Sequence, residues 1–141
     1  MAATAAMIAK VREMTNEVAP TTYRDAQITT IIERHPIIDE RGVEPYEWDT
    51  STVPPTQDDS DSWLPTYDLN AAAADVWDQK AAAAAADYDY SADGANLRRS
   101  QVYEQYRRQA AYYRSRRAPR TITQRPEPPP PTDYSVANRI D

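Results

Sequence analysis

Met7, Val11, Met14 and Val18 recur at spacings of four, three and four, which places them on one side of a helix. The pattern predicts a first amphipathic helix over residues 3–18, stopped by Pro20. Thr22 and Asp25 have the spacing of a capping box, and Ile28, Ile31 and Ile32 give one apolar side to a second helix over residues 23–35, stopped by Pro36. The period then lapses. Residues 37–67 carry Pro45, Pro54, Pro55 and Pro65, the acidic Asp58, Asp59 and Asp61, and scattered Tyr46, Trp48, Trp63 and Tyr67, with no sustained helical repeat. This reads as a long loop whose aromatic residues are pinned onto the helices or onto a neighbouring subunit. A loop of that length in a small domain implies a function, and an assembly interface supplies one.

Periodicity returns at Leu69, Ala73, Val76, Trp77, Lys80 and Ala84, on a run over residues 69–86 that has no Gly or Pro. Asp68 or Asn70 supplies the cap. Ala71 to Ala74 and Ala81 to Ala86 let another helix approach closely while favouring helix themselves. At ~1.5 Å per residue the run is about 27 Å long. Asp93-Gly94 supplies a tight turn and Asn96 a second cap. A second run over residues 97–117 follows, with Val102, Tyr106, Ala110 and Tyr113 as its stripe and Tyr103 beside it. The pair predicts an antiparallel helical hairpin with Leu69, Val76, Trp77, Val102, Tyr106 and Tyr113 in its core. Arg99, Arg107, Arg108, Arg114, Arg116 and Arg117 surround the second stripe and are the candidates for contacts with other subunits or with a different partner protein.

Residues 118–141 form a separate region. Pro126 and the four prolines 128–131 favour an extended polyproline rod, and Thr121 to Thr123 and Tyr134 to Val136 have the character of short strands. We read Thr121, Ile122, Pro128, Pro129, Tyr134, Val136 and Ile140 as the contact positions of a docking arm that pairs along a partner. The fold class expected is therefore mostly α: a small helical domain over residues 1–117, built from two amino-terminal helices and a hairpin, with a long loop and an extended Pro-rich arm.

Composition sharpens this picture in two ways. With no Phe, ten Tyr, three Trp and much Ala, the core is thin for 141 residues, and subunit contacts would complete it. Charge is also segregated: residues 1–96 carry 6 Lys/Arg against 18 Asp/Glu, whereas residues 97–125 carry 9 Arg against one Glu. Such polarity favours head-to-tail association and also permits phosphate binding by the basic helix. The absence of Cys suits a reducing cytoplasm, and no apolar run is long enough for a signal peptide or a membrane span, so a soluble protein is expected.

Catalytic chemistry finds little purchase. His35, the only histidine, stands before a proline, where capping or packing is the usual role. The carboxylates at 58, 59 and 61 lack the glycine and distal glutamate of a calcium loop, and Asp87, Asp89 and Asp93 suit a turn. No phosphate-cradling glycine loop, nucleophile elbow or zinc-protease helix is present. No enzyme, cofactor or metal is expected.

The ordered combination of an alanine-rich helix with Trp77 and Lys80, then ADYDYSADG (86–94), RSQVYEQ (99–105) and AAYYRSRR (110–117), resembles the helical hairpin of phage head-to-tail adaptors. These are also called connector or head completion proteins. The resemblance covers about 50 of the 141 residues and departs from the family in the acidic, Pro-rich insert after Val43 and in the Pro-rich tail. It implies a homo-oligomeric ring, usually of twelve copies, assembled in the host cytoplasm and carried in the virion neck. There it docks under the portal protein, extends the channel through which DNA passes non-specifically, and presents a surface to a head-closure or tail protein. The resemblance thus implies that the portal is the different partner the six arginines would contact. The alternative reading is a small DNA-binding packaging or regulatory protein that uses the Arg-rich helix.

Overall fold

The computed structural model describes residues 2–17, 22–88 and 96–119, with 86–88 and 96–100 described by backbone alone. Among these residues the chain is mostly α. The first helix, α1 (Ala5–Thr15), starts where the Thr4 hydroxyl accepts the Met7 N–H at 3.3 Å. It stops at Asn16, which adopts the left-handed conformation (φ 54°), while the Glu17 N–H turns back to the Arg12 carbonyl at 2.8 Å. The helix thus ends before residue 18, and the stop is an asparagine cap; Val18 and Pro20 lie outside the described residues.

The second helix, α2 (Asp25–Ile32), is shorter than expected at both ends. Thr22 and Asp25 do not form the capping box. The Arg24 N–H donates instead to the Gln27 side chain at 2.8 Å, and Asp25 is occupied by Arg12. Ile28, Ile31 and Ile32 are all buried, and with Val11, Tyr23, Trp63, Tyr67, Ala72 and Val76 they make the core.

Residues 37–67 are not a plain loop. They contain an antiparallel hairpin of β1 (Tyr46–Asp49) and β2 (Thr56–Asp59), paired from Tyr46 with Asp59 to Asp49 with Thr56. A lone two-stranded hairpin is marginal in water. Its base is fastened by the buried Asp39, whose carboxylate accepts the backbone N–H groups of Arg41, Val43 and Leu64 at 2.9, 2.9 and 3.1 Å, and the Arg41 guanidinium at 3.0 Å. Gly42 completes that turn at a φ of +79°. The returning chain seats Trp63 and Tyr67 in the core, ring on edge, with centroids 5.5 Å apart.

The long helix, α3 (Leu69–Tyr88), begins at the Asp68 carboxylate, which accepts the Ala71 N–H at 3.0 Å. The last helix, α4 (Asn96–Arg114), packs along α3: Trp77 meets Tyr106 at 5.4 Å, and the Asn70 amide donates to the Arg116 carbonyl at 3.1 Å. Asp68 closes the hairpin's base by accepting the Ala118 N–H at 2.9 Å. The turn at Asp93 and Gly94 lies outside the described residues. Val102 is not a core residue. It lies on the stripe by period but is 38% exposed.

Candidate assembly interface

The arginines of α4 divide into distinct environments. Arg114 turns inward and pairs with Asp78 of α3, which commits it within the subunit. Arg108 reaches Glu104 one turn back at 3.6 Å, an exposed pair of little energetic weight. The guanidinium of Arg116 lies 4.3 Å from the centroid of the Tyr112 ring. Arg107 and Arg117 are exposed and make no ion pair among the described residues. Of Arg99 only the backbone, within α4, is described. Val102, Tyr103 and Tyr112 are exposed on the same helix; Tyr103 and Tyr112 stand on opposite sides of it, so large apolar groups and cations are distributed around α4.

Of the remaining hairpin positions, Val76 and Trp77 are buried, and Leu69, Tyr106 and Tyr113 are half-buried. The arm positions Thr121, Ile122, Pro128, Pro129, Tyr134, Val136 and Ile140 lie outside the described residues.

Three buried ionic groups escaped the sequence pattern. Arg12 sits on α1 at a position any surface arginine would occupy, yet it donates to Asp25 (2.5 Å) and to the carbonyls of Glu17 and Tyr23 (3.1 and 2.8 Å), locking α1 to α2. Lys80 falls on the apolar face of α3 because it has partners there. Its ammonium binds Glu17 at 2.7 Å and the Thr15 carbonyl at 2.6 Å, and it lies 4.6 Å from the Trp77 ring centroid, so it caps the end of α1. Trp77 adds its own N–H to the Met14 carbonyl at 3.3 Å. Lys80 standing within an apolar stripe is the only one of these signals visible beforehand. The third is Asp39. Burial alone would raise its pKa, but the backbone donors of Val43 and Leu64, with Arg41, outweigh it and hold the carboxyl at about 2.

His35 bonds Asp75 of α3 through Nε2 at 2.7 Å, and its carbonyl accepts the Asp68 N–H at 2.9 Å. It joins α2 to the start of the hairpin. On one side of the adjoining Pro36 lies a hollow lined by His35, Ile37, Asp68, Arg117 and Ala118. On the other lies a groove of about 180 Å³ bounded by Glu33, Pro45, Tyr46, Asp59, Trp63 and Tyr67. Burial, and after it the nearby carboxylates of Glu33 and Asp59, pushes the Tyr67 hydroxyl above its ordinary range; those two carboxylates are the charged groups on the groove.

Asp58, Asp59 and Asp61 are exposed on or beside β2, and among the described residues no three acidic or histidine side chains gather as metal ligands. No helix among them is long and apolar enough to cross a membrane. Compared with protein families, curated proteins and solved structures, the chain finds no match.

Proposed function

We propose that this chain is a structural ring protein of a tailed phage neck, a head-to-tail adaptor that docks beneath the portal and joins it to a head-closure or tail protein. The observation that carries the reading is the outward surface of α4. On α4 Val102, Tyr103 and Tyr112, with Arg107 and Arg116, are left exposed by the other described residues, while the β-hairpin carries exposed Glu47, Asp58 and Asp59. An apolar, cationic surface and an anionic one on a single molecule make a heterologous contact, which repeats from copy to copy and closes into a ring when the rotation allows. The resemblance of the α3–α4 hairpin to adaptor proteins gives that contact its setting. Acidic excess outside α4 suits a conduit through which DNA slides without sticking.

The test is native mass spectrometry of the purified chain, alone and mixed with its cognate portal ring. A discrete ring of added copies on the portal is the expected result. No association in buffer where both proteins are folded would overturn the reading. Arg107 and Arg117, which make no ion pair among the described residues, favour a second reading, binding to duplex DNA, which predicts an affinity falling steeply with salt. Adaptor function needs no such affinity.

A further inference from the structure

We infer that the proline-rich stretch 125–131, RPEPPPP, docks in the groove between Tyr46, Trp63 and Pro36 of its own subunit. The place where the described chain ends is the first support. Ala118 is tied to Asp68, and Arg117 and Ala118 line the hollow whose wall is Pro36, the same residue that bounds the groove. Pro119 to Gln124 is a tether of six residues that spans up to roughly 20 Å when extended. A tether that short holds its end at millimolar effective concentration, which favours the subunit's own groove over a neighbour's.

Chemistry is the second support. The Trp63 ring, 6% exposed, lines the groove with its N–H spent on the Ile37 carbonyl at 2.9 Å and Tyr67 against it edge-on. Tyr46, 39% exposed, and Pro45 make the opposite wall. Polyproline segments bind such aromatic walls with little ordering cost, because the extended rod is preformed. Three residues per turn put Arg125, Pro128 and Pro131 on one side of the rod and Glu127 on another. Arg125 then meets the carboxylates of Glu33 and Asp59, while Glu127 faces away from them. At about 180 Å³ the groove falls below the ~300–1,000 Å³ of small-molecule sites and suits one or two side chains. The inference goes beyond the adaptor reading and does not rest on it.

The experiment uses the full chain, which contains no cysteine, with Thr132→Cys carrying a nitroxide. The nitroxide should broaden the Trp63 indole and Tyr46 amide NMR signals several-fold more than the Trp77 indole, which lies against α1. Arg125→Glu should abolish the difference, and so should Glu33→Arg with Asp59→Arg in a variant whose spectrum stays dispersed. Equal broadening at Trp63 and Trp77 would overturn the inference. Mixing spin-labelled unlabelled-isotope chains with isotope-labelled unmodified chains separates the occupants: broadening carried only between chains would place the stretch on a neighbour and overturn the own-subunit assignment.

Discussion

Ala71 to Ala74 and Ala81 to Ala85 lie on the same helix and are made of the same residue, yet the first run is wholly buried whereas Ala82, Ala83 and Ala85 are exposed. The first run sits where α1, α2 and the returning Tyr67 converge on α3, so each methyl displaces water against a neighbour. The second run lies past Lys80, where α1 has ended. Alanine content alone says only that a helix can be approached closely; what approaches is decided by the rest of the chain. Around the first run that is the subunit's own core, whereas Ala82, Ala83 and Ala85 are left exposed by the other described residues.

Breaking the boundary between the runs should have the largest effect. Lys80→Met strands the Glu17 carboxylate, of which only 10% is exposed, and is expected to cost about 3 kcal/mol in urea unfolding. Next, Ala72→Leu forces three extra carbons into a site with no exposed surface and should cost about 1–3 kcal/mol by the same measurement. The contrast sharpens with Ala83→Leu, which should leave stability within about 0.5 kcal/mol yet lower ring formation in native mass spectrometry, since a neighbour's close approach is blocked. If Ala83→Leu unfolds the subunit, the second run is core after all.

Acid reports on the insert independently. The Asp39 carboxyl is held at about 2 in the fold, below the ~3.9 of an unfolded chain. A lowered pKa contributes stability that is complete above pH ~4 and disappears as pH falls toward about 2. Asp39→Asn should therefore flatten the fall in Tm across that window.

Residues whose partners are near in sequence, or whose role is only to be apolar, were legible. Ile28, Ile31 and Ile32 follow from period, and the Asp68 cap from its place before the alanine run. The β-hairpin was not, because TQDD is polar on both faces, the Tyr46 and Trp48 alternation in YEWD lasts only four residues, and the intervening prolines give no two-residue turn signal. The buried ionic groups were hidden for a different reason. Lys80 meets Thr15 across 65 positions and His35 meets Asp75 across 40, and no local pattern encodes such pairings. Val102 erred in the opposite sense: it has the right period on α4 and yet is 38% exposed.

The double duty of Asp68, which holds the first turn of α3 with one oxygen and Ala118 with the other, has a mechanical consequence. A pull applied through the tail is delivered to the foot of α3, beside the seated Tyr67, before it can peel the last turn of α4. The anchorage therefore works as strain relief, and whatever holds the tail tugs on the foot of α3 rather than on the end of α4.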